Sequence, residues 1–186
     1  MPFIETGIRG LLLFEPISYK DNRGFFFESY NRKVFEQHGI NHDFVQDNQS
    51  FSVYGVIRGL HYQLPPHAQA KLVRAISGKI LDVAVDIRIG SPTYKKVFSV
   101  ELSAENQKQL FIPAGFAHGV SVLSETAEVL YKCDEFYNKE SESGIIYNDA
   151  ELNIDWQIPA GKIIVSEKDL QLPELRNAQN NFHFNS

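Results

Sequence analysis

The chain has 186 residues, 43% of them hydrophobic and 22% charged, and a formal net charge of −5 at pH 7. These values are typical of one soluble globular domain with a substantial buried core. The negative charge argues against a surface that coats nucleic acid. The single cysteine, Cys133, excludes an intrachain disulfide. The apolar run at residues 11–14 is too short for a signal peptide or a membrane span, so we expect a cytoplasmic protein.

In chain order, the predicted elements are short and mostly β. A strand is predicted at 8–15 and another at 25–30. A short helix is predicted at 31–38, with Asn31 as its N-cap and Gly39 at its end. The turn Ser77-Gly78-Lys79 predicts a tight hairpin. Further β-branched and aromatic runs predict strands at 44–51, 55–62, 71–76, 80–89, 96–102, 109–112, 119–123 and 127–136.

Many short strands at regular spacing predict an all-β sandwich or barrel. We expect one domain over residues 1–186. Residues 150–175 are less regular and predict short peripheral helices that pack on the barrel. The polar tail at 176–186 is expected to fray.

The first segment of chemical interest is residues 58–63, which place His61 on a short apolar strand between turn signals. Strict alternation would put His61 on one face with Gly59 and Gln63, and Arg58 on the other face. A histidine in this position is either a hydrogen-bonded core residue or a general base with a pKa near neutrality. The residues alone leave both readings open.

The second segment, residues 113–118, is a Pro-x-Gly-x-x-His turn that ends in His118. Metal-binding barrels combine such a histidine with a His-x-His pair and a glutamate. Here Gln63 replaces the second His of that pair, and Lys71 stands in the region of the glutamate. Two imidazoles are too few for a closed metal site, and an ammonium would repel a metal cation. The pattern therefore predicts no metal and favours proton transfer.

Nine segments of the chain, in order, carry a family resemblance. They are R-G-L-H-Y-Q (58–63), Q-A-K-L-V-R (69–74), L-D-V-A-V-D-I-R (81–88), S-P-T (91–93), L-S-A-E-N (102–106), I-P-A-G-F-A-H-G (112–119), L-S-E (123–125), Y-K (131–132) and S-E-K-D (166–169). Together they resemble the dTDP-4-dehydrorhamnose 3,5-epimerase family, from about Gly7 to Pro173. The resemblance implies a cupin-type jelly-roll β-barrel and an isomerase that needs no cofactor. It also implies conversion of dTDP-4-dehydro-6-deoxy-D-glucose to dTDP-4-dehydro-L-rhamnose, at C3 and C5, in dTDP-L-rhamnose biosynthesis.

The resemblance also implies a catalytic set. His61 corresponds to the proton acceptor, Asp169 to its carboxylate partner and Tyr131 to the proton donor. Lys71 corresponds to a ligand of the enolate oxygen at C4, with Asp82 as its expected counter-charge. Inverting a carbon requires that a proton leaves one face and another arrives on the opposite face. A phenol suits the donor because its unperturbed pKa of about 10 keeps it protonated at neutral pH.

The remaining implied residues contact the dTDP-keto-deoxysugar. Arginine suits the diphosphate because its guanidinium binds oxygens in pairs, and the aromatic run 25–27 could stack on the base. Family members are homodimers whose N-terminal strands cross to the partner, so Arg23 and Glu28 are expected to complete the partner's site. No nucleic acid or membrane partner is expected. The positions that match substrate contacts are Arg23, Glu28, Gln46, Asp47, Asn48, Arg58, Lys71, His118, Tyr137, Glu142 and Lys168.

Three alternatives stay open at this point. The chain could invert a single carbon, C3 or C5, of a nucleotide sugar that leads to another deoxysugar. It could be a metal-dependent cupin oxygenase or isomerase. It could also be a sugar-binding barrel without catalysis. From the residues alone, each candidate side chain is equally compatible with a solvated charge or an ordinary core aromatic.

Overall fold

The computed structural model describes residues 3–184. Over that range the helices are α1 (Arg32–Glu36) and α2 (Glu167–Leu170), with 3-10 turns at Ala160–Lys162 and Leu175–Asn177. The strands are β1 (Phe3–Glu5), β2 (Leu12–Phe14), β3 (Tyr19–Asp21), β4 (Gly24–Phe26), β5 (Gln46–Val53), β6 (Val56–Gln63), β7 (Lys71–Ser77), β8 (Lys79–Asp86), β9 (Val97–Ser103), β10 (Gln109–Ile112), β11 (Phe116–Val122), β12 (Thr126–Cys133), β13 (Glu142–Gly144) and β14 (Ile164–Val165).

Most of these strands form two facing sheets of a jelly roll, as expected for a cupin-type barrel. We call the sheet with strand order β1-β2-β10-β7-β12-β5 the first sheet, and the sheet with order β13-β6-β11-β8-β9 the second sheet. Alternating apolar side chains from both sheets meet between them, and the largest core cluster includes Val73, Ile80, Leu110 and Val122. Burial of this apolar surface is the main stabilising term of the sandwich.

Each sheet also has an outer cover. Helix α1 packs Phe35 against the outside of the first sheet. It begins at the predicted N-cap Asn31, whose side chain accepts a hydrogen bond from the Lys33 N–H. The chain after β13 covers the second sheet with a separate apolar cluster that includes Trp156 and Phe182. Both covers leave the interior between the sheets free for a cavity.

The C-terminal segment is packed, in contrast to the frayed tail expected at 176–186. Phe182 is only 9% exposed. The Tyr62 hydroxyl donates to the Gln179 carbonyl, and the Asn180 amide donates to the Ile87 carbonyl. These contacts tie the tail to the second sheet as far as residue 184, and residues 185–186 lie outside the described range. The expected short helices at 150–175 correspond to Ala160–Lys162 and α2.

The predicted hairpin at Ser77-Gly78-Lys79 is wrong. The turn is tight, and Gly78 has φ +68°, but β7 belongs to the first sheet and β8 to the second. The turn therefore carries the chain from one sheet to the other. A glycine with positive φ suits both a hairpin within one sheet and a passage between two sheets, and only the pairing with distant strands decides between them. No helix within residues 3–184 is long and apolar enough to cross a membrane.

Candidate active site

A cavity of about 540 Å³ opens between the two sheets. Its polar lining includes His61, Lys71, His118, Tyr131 and Asp169. A neighbouring chamber of about 340 Å³ shares three of these residues and adds amide side chains. We call the two spaces the main cavity and the side chamber. The predicted catalytic set therefore converges on one site, although its members are spread over more than a hundred positions of the sequence.

His61 lies on β6 and is held by Asp169. Its Nε2 lies 2.8 Å from Asp169 Oδ1, and the Gly59 N–H donates to the other carboxylate oxygen. Burial disfavours the charge of Asp169, but the hydrogen bonds from His61 and Gly59 outweigh it, so the pKa of Asp169 lies below its usual value. The anionic carboxylate fixes the ring orientation and leaves Nδ1 as the nitrogen available to a ligand.

The position of Asp169 follows from the C-terminal segment. Strand β14 pairs in parallel with the start of β6, at Val56 and Ile57. The chain then enters α2, where the Ser166 hydroxyl caps the helix by accepting a hydrogen bond from the Asp169 N–H. This short element places Asp169, which is only 4% exposed, beneath the imidazole of His61.

Tyr131 comes from the opposite sheet. It lies on β12 of the first sheet, whereas His61 lies on β6 of the second sheet, and both side chains line the main cavity and the side chamber. Burial raises the pKa of the Tyr131 phenol, and the nearby Cys133 adds to the effect. The phenol therefore keeps its proton at neutral pH. A ligand between the sheets would meet a base on one side and a proton donor on the other.

Lys71 lies next to Tyr131, with Nζ 5.9 Å from the centre of the phenol ring. Its strand pairs with β12 so that Lys71 is opposite Cys133. Burial lowers the pKa of Lys71, and the Asp82 and Glu142 charges only partly offset that effect. An ammonium in such a place gains from an anionic ligand, because few of its interactions with water remain.

His118 and Asp82 form a second imidazole–carboxylate pair, on β11 and β8. His118 Nε2 lies 2.7 Å from Asp82 Oδ1, and Asp82 is fully buried. Asp82 therefore pairs directly with His118, and its charge also acts on Lys71, whose pKa it raises, as the sequence predicted. His118 is directly opposite His61 in the β11–β6 register, so the two imidazoles are neighbours on the cavity wall.

Arg58 lies on the cavity side, and the strict alternation predicted for β6 is wrong. The β6–β11 register shifts between the His118–His61 pair and the Val120–Arg58 pair. This bulge brings Arg58 to the same side as His61, where both line the main cavity. Arg58 Nε donates to the hydroxyl of Ser52 on β5 of the first sheet. Gly59 forms the bulge with φ +103°. The sequence signal for it was the glycine inside the strand.

The side chamber contains several of the predicted substrate contacts. Gln46 and Asn48 line it, together with Tyr137 and Glu142. Glu142 accepts hydrogen bonds from the Tyr137 hydroxyl at 2.9 Å and from Lys168 Nζ at 2.7 Å. Burial opposes the charge of Glu142, but these bonds outweigh it and lower its pKa. Lys168 also lines the main cavity, so this network lies between the two spaces.

Three predicted contacts lie outside both spaces in the single chain. Arg23 is on the β3–β4 hairpin, paired with Asp21 at 2.6 Å and largely exposed. Glu28 is in contact with the Asn31 side chain. Asp47 points to the other face of β5, where it pairs with Lys132. The aromatic run 25–27 lines a separate depression on the surface.

Sequence reasoning missed the apolar part of the main cavity. Val56, Val120 and Val129 line it beside the catalytic candidates. Nothing in their sequence context separates them from ordinary core valines. Their relation to the candidate residues depends on which strands face each other across the sandwich.

Comparisons with known proteins show which family the chain belongs to. The family model of dTDP-4-dehydrorhamnose 3,5-epimerase matches residues 5–177. The chain belongs to the dTDP-4-dehydrorhamnose 3,5-epimerase family. It is 54% identical over 171 residues to the enzyme of that name from Shigella flexneri, covering 91% of this chain and 93% of that protein.

Solved structures of family members have the same fold. The crystal structure of the 3,5-epimerase from Elizabethkingia anophelis NUHP1 is 51% identical with a TM-score of 0.91, covering 95% of this chain and 97% of that one. The Legionella pneumophila dTDP-6-deoxy-D-glucose-3,5-epimerase, in complex with dTDP-4-keto-L-rhamnose, is 47% identical with a TM-score of 0.91, covering 95% of this chain and 93% of that one. Membership in this family makes the chain an isomerase of nucleotide sugars.

Within residues 3–184, no group of three or more His, Cys, Asp or Glu side chains could hold a metal ion. Both cavity imidazoles instead direct Nε2 to a carboxylate. Gln63 uses its amide for structure, because it donates to the His67 carbonyl and accepts from the Asn138 N–H.

Proposed function

We propose that this chain epimerises dTDP-4-dehydro-6-deoxy-D-glucose at C3 and C5 to give dTDP-4-dehydro-L-rhamnose. The observation that carries the proposal is a base and a phenol on opposite sheets of one cavity, His61 and Tyr131. Carbons next to a ketone lose protons to bases of near-neutral pKa. Inversion then needs a donor on the other face, which a phenol with a raised pKa supplies.

The reaction at each carbon is a proton transfer in two stages. His61 Nδ1 removes the proton, and the electron pair of the C–H bond moves to the C4 oxygen as an enolate. The Lys71 ammonium and the His118 imidazole stabilise that oxygen electrostatically. Tyr131 then returns a proton to the opposite face of the same carbon, and the carbonyl re-forms. Asp169 stabilises the imidazolium that results. Before the next carbon reacts, His61 releases its proton to solvent and the Tyr131 phenolate takes one up, so both groups return to their starting states.

The diphosphate of the substrate requires cations near the entrance of the cavity. Arg58 and Lys168 both line the main cavity. Arg58 presents a planar guanidinium suited to paired phosphate oxygens. Lys168 is bound to Glu142 in the free protein at 2.7 Å, and a diphosphate would compete for it. The amides of Gln46 and Asn48 are available to polar groups of the nucleotide.

Incubation in deuterium oxide with the dTDP-4-dehydro-6-deoxy sugar tests the proposal. Proton NMR of the product is expected to show deuterium at both C3 and C5 with inverted configuration. Deuterium at one carbon only would support a single-carbon epimerase instead. No exchange at either carbon, with the substrate bound, would contradict the proposal and support a sugar-binding barrel. Unchanged activity after chelator treatment is expected, because no step uses a metal.

We also infer that two copies pair through the β3–β4 hairpin. Tyr19 is 66% exposed, Phe25 60% and Phe26 68%. Three large aromatic rings on one short hairpin form an apolar patch that monomers rarely expose. Arg23 lies in the turn of the same hairpin, between Asp21 and Gly24, and it lines neither the main cavity nor the side chamber of its own chain. In a dimer this tip could deliver Arg23 and Glu28 to the other subunit's nucleotide site.

Hybrid dimers test this inference. Arg23→Ala and Tyr131→Phe variants are each expected to be weakly active alone. After the two variants are unfolded together and refolded, half of the dimers are mixed, and one of the two sites in each mixed dimer has no defect. Activity is then expected to recover to about a quarter of the wild-type value per chain. No recovery, with a dimer seen by light scattering, would contradict a shared site.

A further inference from the structure

We propose that Gln63 and Gln69 are positioning residues, which hold Tyr137 in contact with the nucleotide base by fixing the backbone around it. The inference rests on the proposed function and adds two residues to it. All three side chains line the side chamber. Tyr137 belongs to residues 135–138, which lie between β12 and β13. We call these four residues the tyrosine segment.

The tyrosine segment has no regular secondary structure to hold it. Within residues 3–184, no backbone-to-backbone hydrogen bond involves residues 135–137. Phe136 is 61% exposed and Tyr137 is 54% exposed, so packing of these side chains contributes little. A surface connection without such support is ordinarily mobile. The position of the segment must therefore come from other polar contacts.

Gln63 holds the segment on both sides of Tyr137. Its Nε2 donates to the Phe136 carbonyl at 3.2 Å, and its Oε1 accepts from the Asn138 N–H at 2.7 Å. Nε2 also donates to the His67 carbonyl at 2.7 Å. Gln63 is only 5% exposed, so these bonds form away from bulk water. Both N–H groups of the amide are used within the protein, and Gln63 therefore acts on a ligand through the residues that it holds.

Two further glutamines complete the support. Gln69 Nε2 donates to the Glu135 carbonyl at 2.7 Å. The Tyr137 N–H donates to Gln46 Oε1 at 3.0 Å. Gln46 lies on β5 of the first sheet, whereas Gln63 lies on β6 of the second sheet. The tyrosine segment is therefore tied to both of the sheets that form the cavity.

These contacts place an exposed phenol ring at the side chamber in one orientation. The Tyr137 hydroxyl donates to Glu142 at 2.9 Å, so the ring is held at its far end as well as at its backbone. Amide side chains, including that of Asn48, line the chamber beside the ring. A nucleotide base has matching chemistry, because its flat face stacks on an aromatic ring and its polar edge pairs with amides. A ring that is already in place lowers the entropy cost of binding.

A double-mutant cycle tests whether Gln63 acts through Tyr137. Gln63→Met keeps the length of the side chain and removes its hydrogen bonds without adding charge. Isothermal titration calorimetry is expected to show about 10-fold weaker dTDP binding by Gln63→Met and about 10- to 100-fold weaker binding by Tyr137→Ala. In the Tyr137→Ala background, Gln63→Met should weaken dTDP binding by less than about twofold further, because the ring that it positions is absent.

The kinetic signature of Gln63→Met separates positioning from catalysis. KM for the keto sugar should rise about 10-fold, whereas kcat should stay within about threefold of wild type, because no proton-transfer residue lies on the tyrosine segment. Gln69→Met provides an independent second variant if Gln63→Met does not fold, as judged by circular dichroism. It removes one hydrogen bond to the segment and should weaken dTDP binding by about three- to tenfold.

Asn106→Leu is the matched control. Asn106 also binds backbone groups, since it donates to the Glu101 carbonyl and accepts from the Ser103 N–H. It lines neither the main cavity nor the side chamber, so dTDP binding should stay within about twofold of wild type. Wild-type dTDP affinity in the Gln63 and Gln69 variants would overturn the inference. An equal loss of affinity with and without the Tyr137 ring would also overturn it.

Failure here is distinguishable from failure of the proposed function. dTDP carries no hexose and cannot react, so its binding reports on the nucleotide site without reference to the chemistry. Deuterium exchange into the keto sugar by the wild-type protein, together with unchanged dTDP affinity in the glutamine variants, would reject the positioning role and leave the epimerase reaction in place. Absence of exchange would reject the reaction itself.

Discussion

Replacing Asp169 with Asn should disable the proposed base without removing it. In the native site the carboxylate accepts from His61 Nε2 at 2.8 Å and from the Gly59 N–H at 3.1 Å. The first bond keeps the proton on Nε2, so that Nδ1 is free to remove a substrate proton. An asparagine amide can donate to Nε2 instead, which favours the tautomer with its proton on Nδ1. That tautomer cannot act as a base toward the substrate.

The loss of charge adds to the loss of tautomer control. The centres of the ring charge and the carboxylate charge lie about 4 Å apart, which corresponds to about 4 kcal/mol at an effective dielectric constant of 20. The Asn variant removes this attraction, so the imidazolium that forms when His61 takes a proton is less stabilised. A weaker base and a wrong tautomer together lead us to expect a decrease in kcat of about 10²- to 10⁴-fold.

The assay is the rate of deuterium incorporation at C3 and C5, with KM measured separately. Asp134→Asn is the matched control, because Asp134 forms the same kind of pair with His42, at 2.6 Å, outside the cavity. It should leave kcat within about twofold of wild type. If Asp169→Asn kept kcat within about threefold of wild type while remaining folded, the assigned role of Asp169 would be refuted.

Three other changes have defined outcomes. Lys71→Met should lower kcat by about 10²- to 10³-fold with little effect on dTDP affinity measured by calorimetry, because the Lys71 ammonium stabilises the enolate rather than the nucleotide. An equal loss of kcat and of dTDP affinity would contradict this. Gly59→Ala should lower the free energy of unfolding in urea by about 2–4 kcal/mol, because the backbone has φ +103° and a Cβ would lie 2.5 Å from a backbone carbonyl oxygen. Gly161→Ala is the control, since Gly161 has open space around it, and it should leave the free energy of unfolding nearly unchanged. Burial opposes the charge of Asp86, but the hydrogen bonds from Arg88 and two hydroxyls outweigh it and lower the pKa of Asp86. The ionised carboxylate therefore contributes its full share of the folding stability above about pH 4, and this share is lost as the pH falls further. Asp86→Asn should lower the free energy of unfolding by about 3 kcal/mol at pH 7 and weaken the decrease in stability at acid pH, and an unchanged decrease would contradict the assignment.

Local patterns in the sequence were sufficient for much of the fold. The strand Gln109–Ile112 was predicted with its observed bounds, and Asn31 was identified as a helix cap. Both predictions use signals that a few neighbouring residues carry. The all-β class followed from the same kind of signal, because regular spacing of turns and short apolar runs is a property of the sequence itself.

The arrangement of strands could not be obtained in this way. Gly78 would serve equally in a hairpin and in the observed passage between sheets, and the difference lies in pairings with strands far along the chain. The bulge at Gly59 has the same origin. A glycine inside a strand signals that a bulge is permitted, but the register with β11 decides which side chains then share a face.

Contacts between distant residues of the site could not be predicted from local sequence either. His61 and Asp169 are 108 residues apart, and their contact was implied only by the family resemblance. The residues could not show that Tyr131 belongs to the sheet opposite His61, nor that His118 takes Asp82 as its partner. Proton-transfer chemistry was predictable from residue types, whereas the facing geometry that makes inversion feasible is a property of the folded sandwich.

The central claim is that His61 and Tyr131 act on opposite faces of the sugar, and Tyr131→Phe in deuterium oxide tests it most directly. His61 can still remove a proton and return a deuteron to the same face. The recovered substrate should therefore gain deuterium at C3 or C5, while formation of the inverted product falls by about 10²- to 10⁴-fold. Inverted product at close to the wild-type rate would contradict the account.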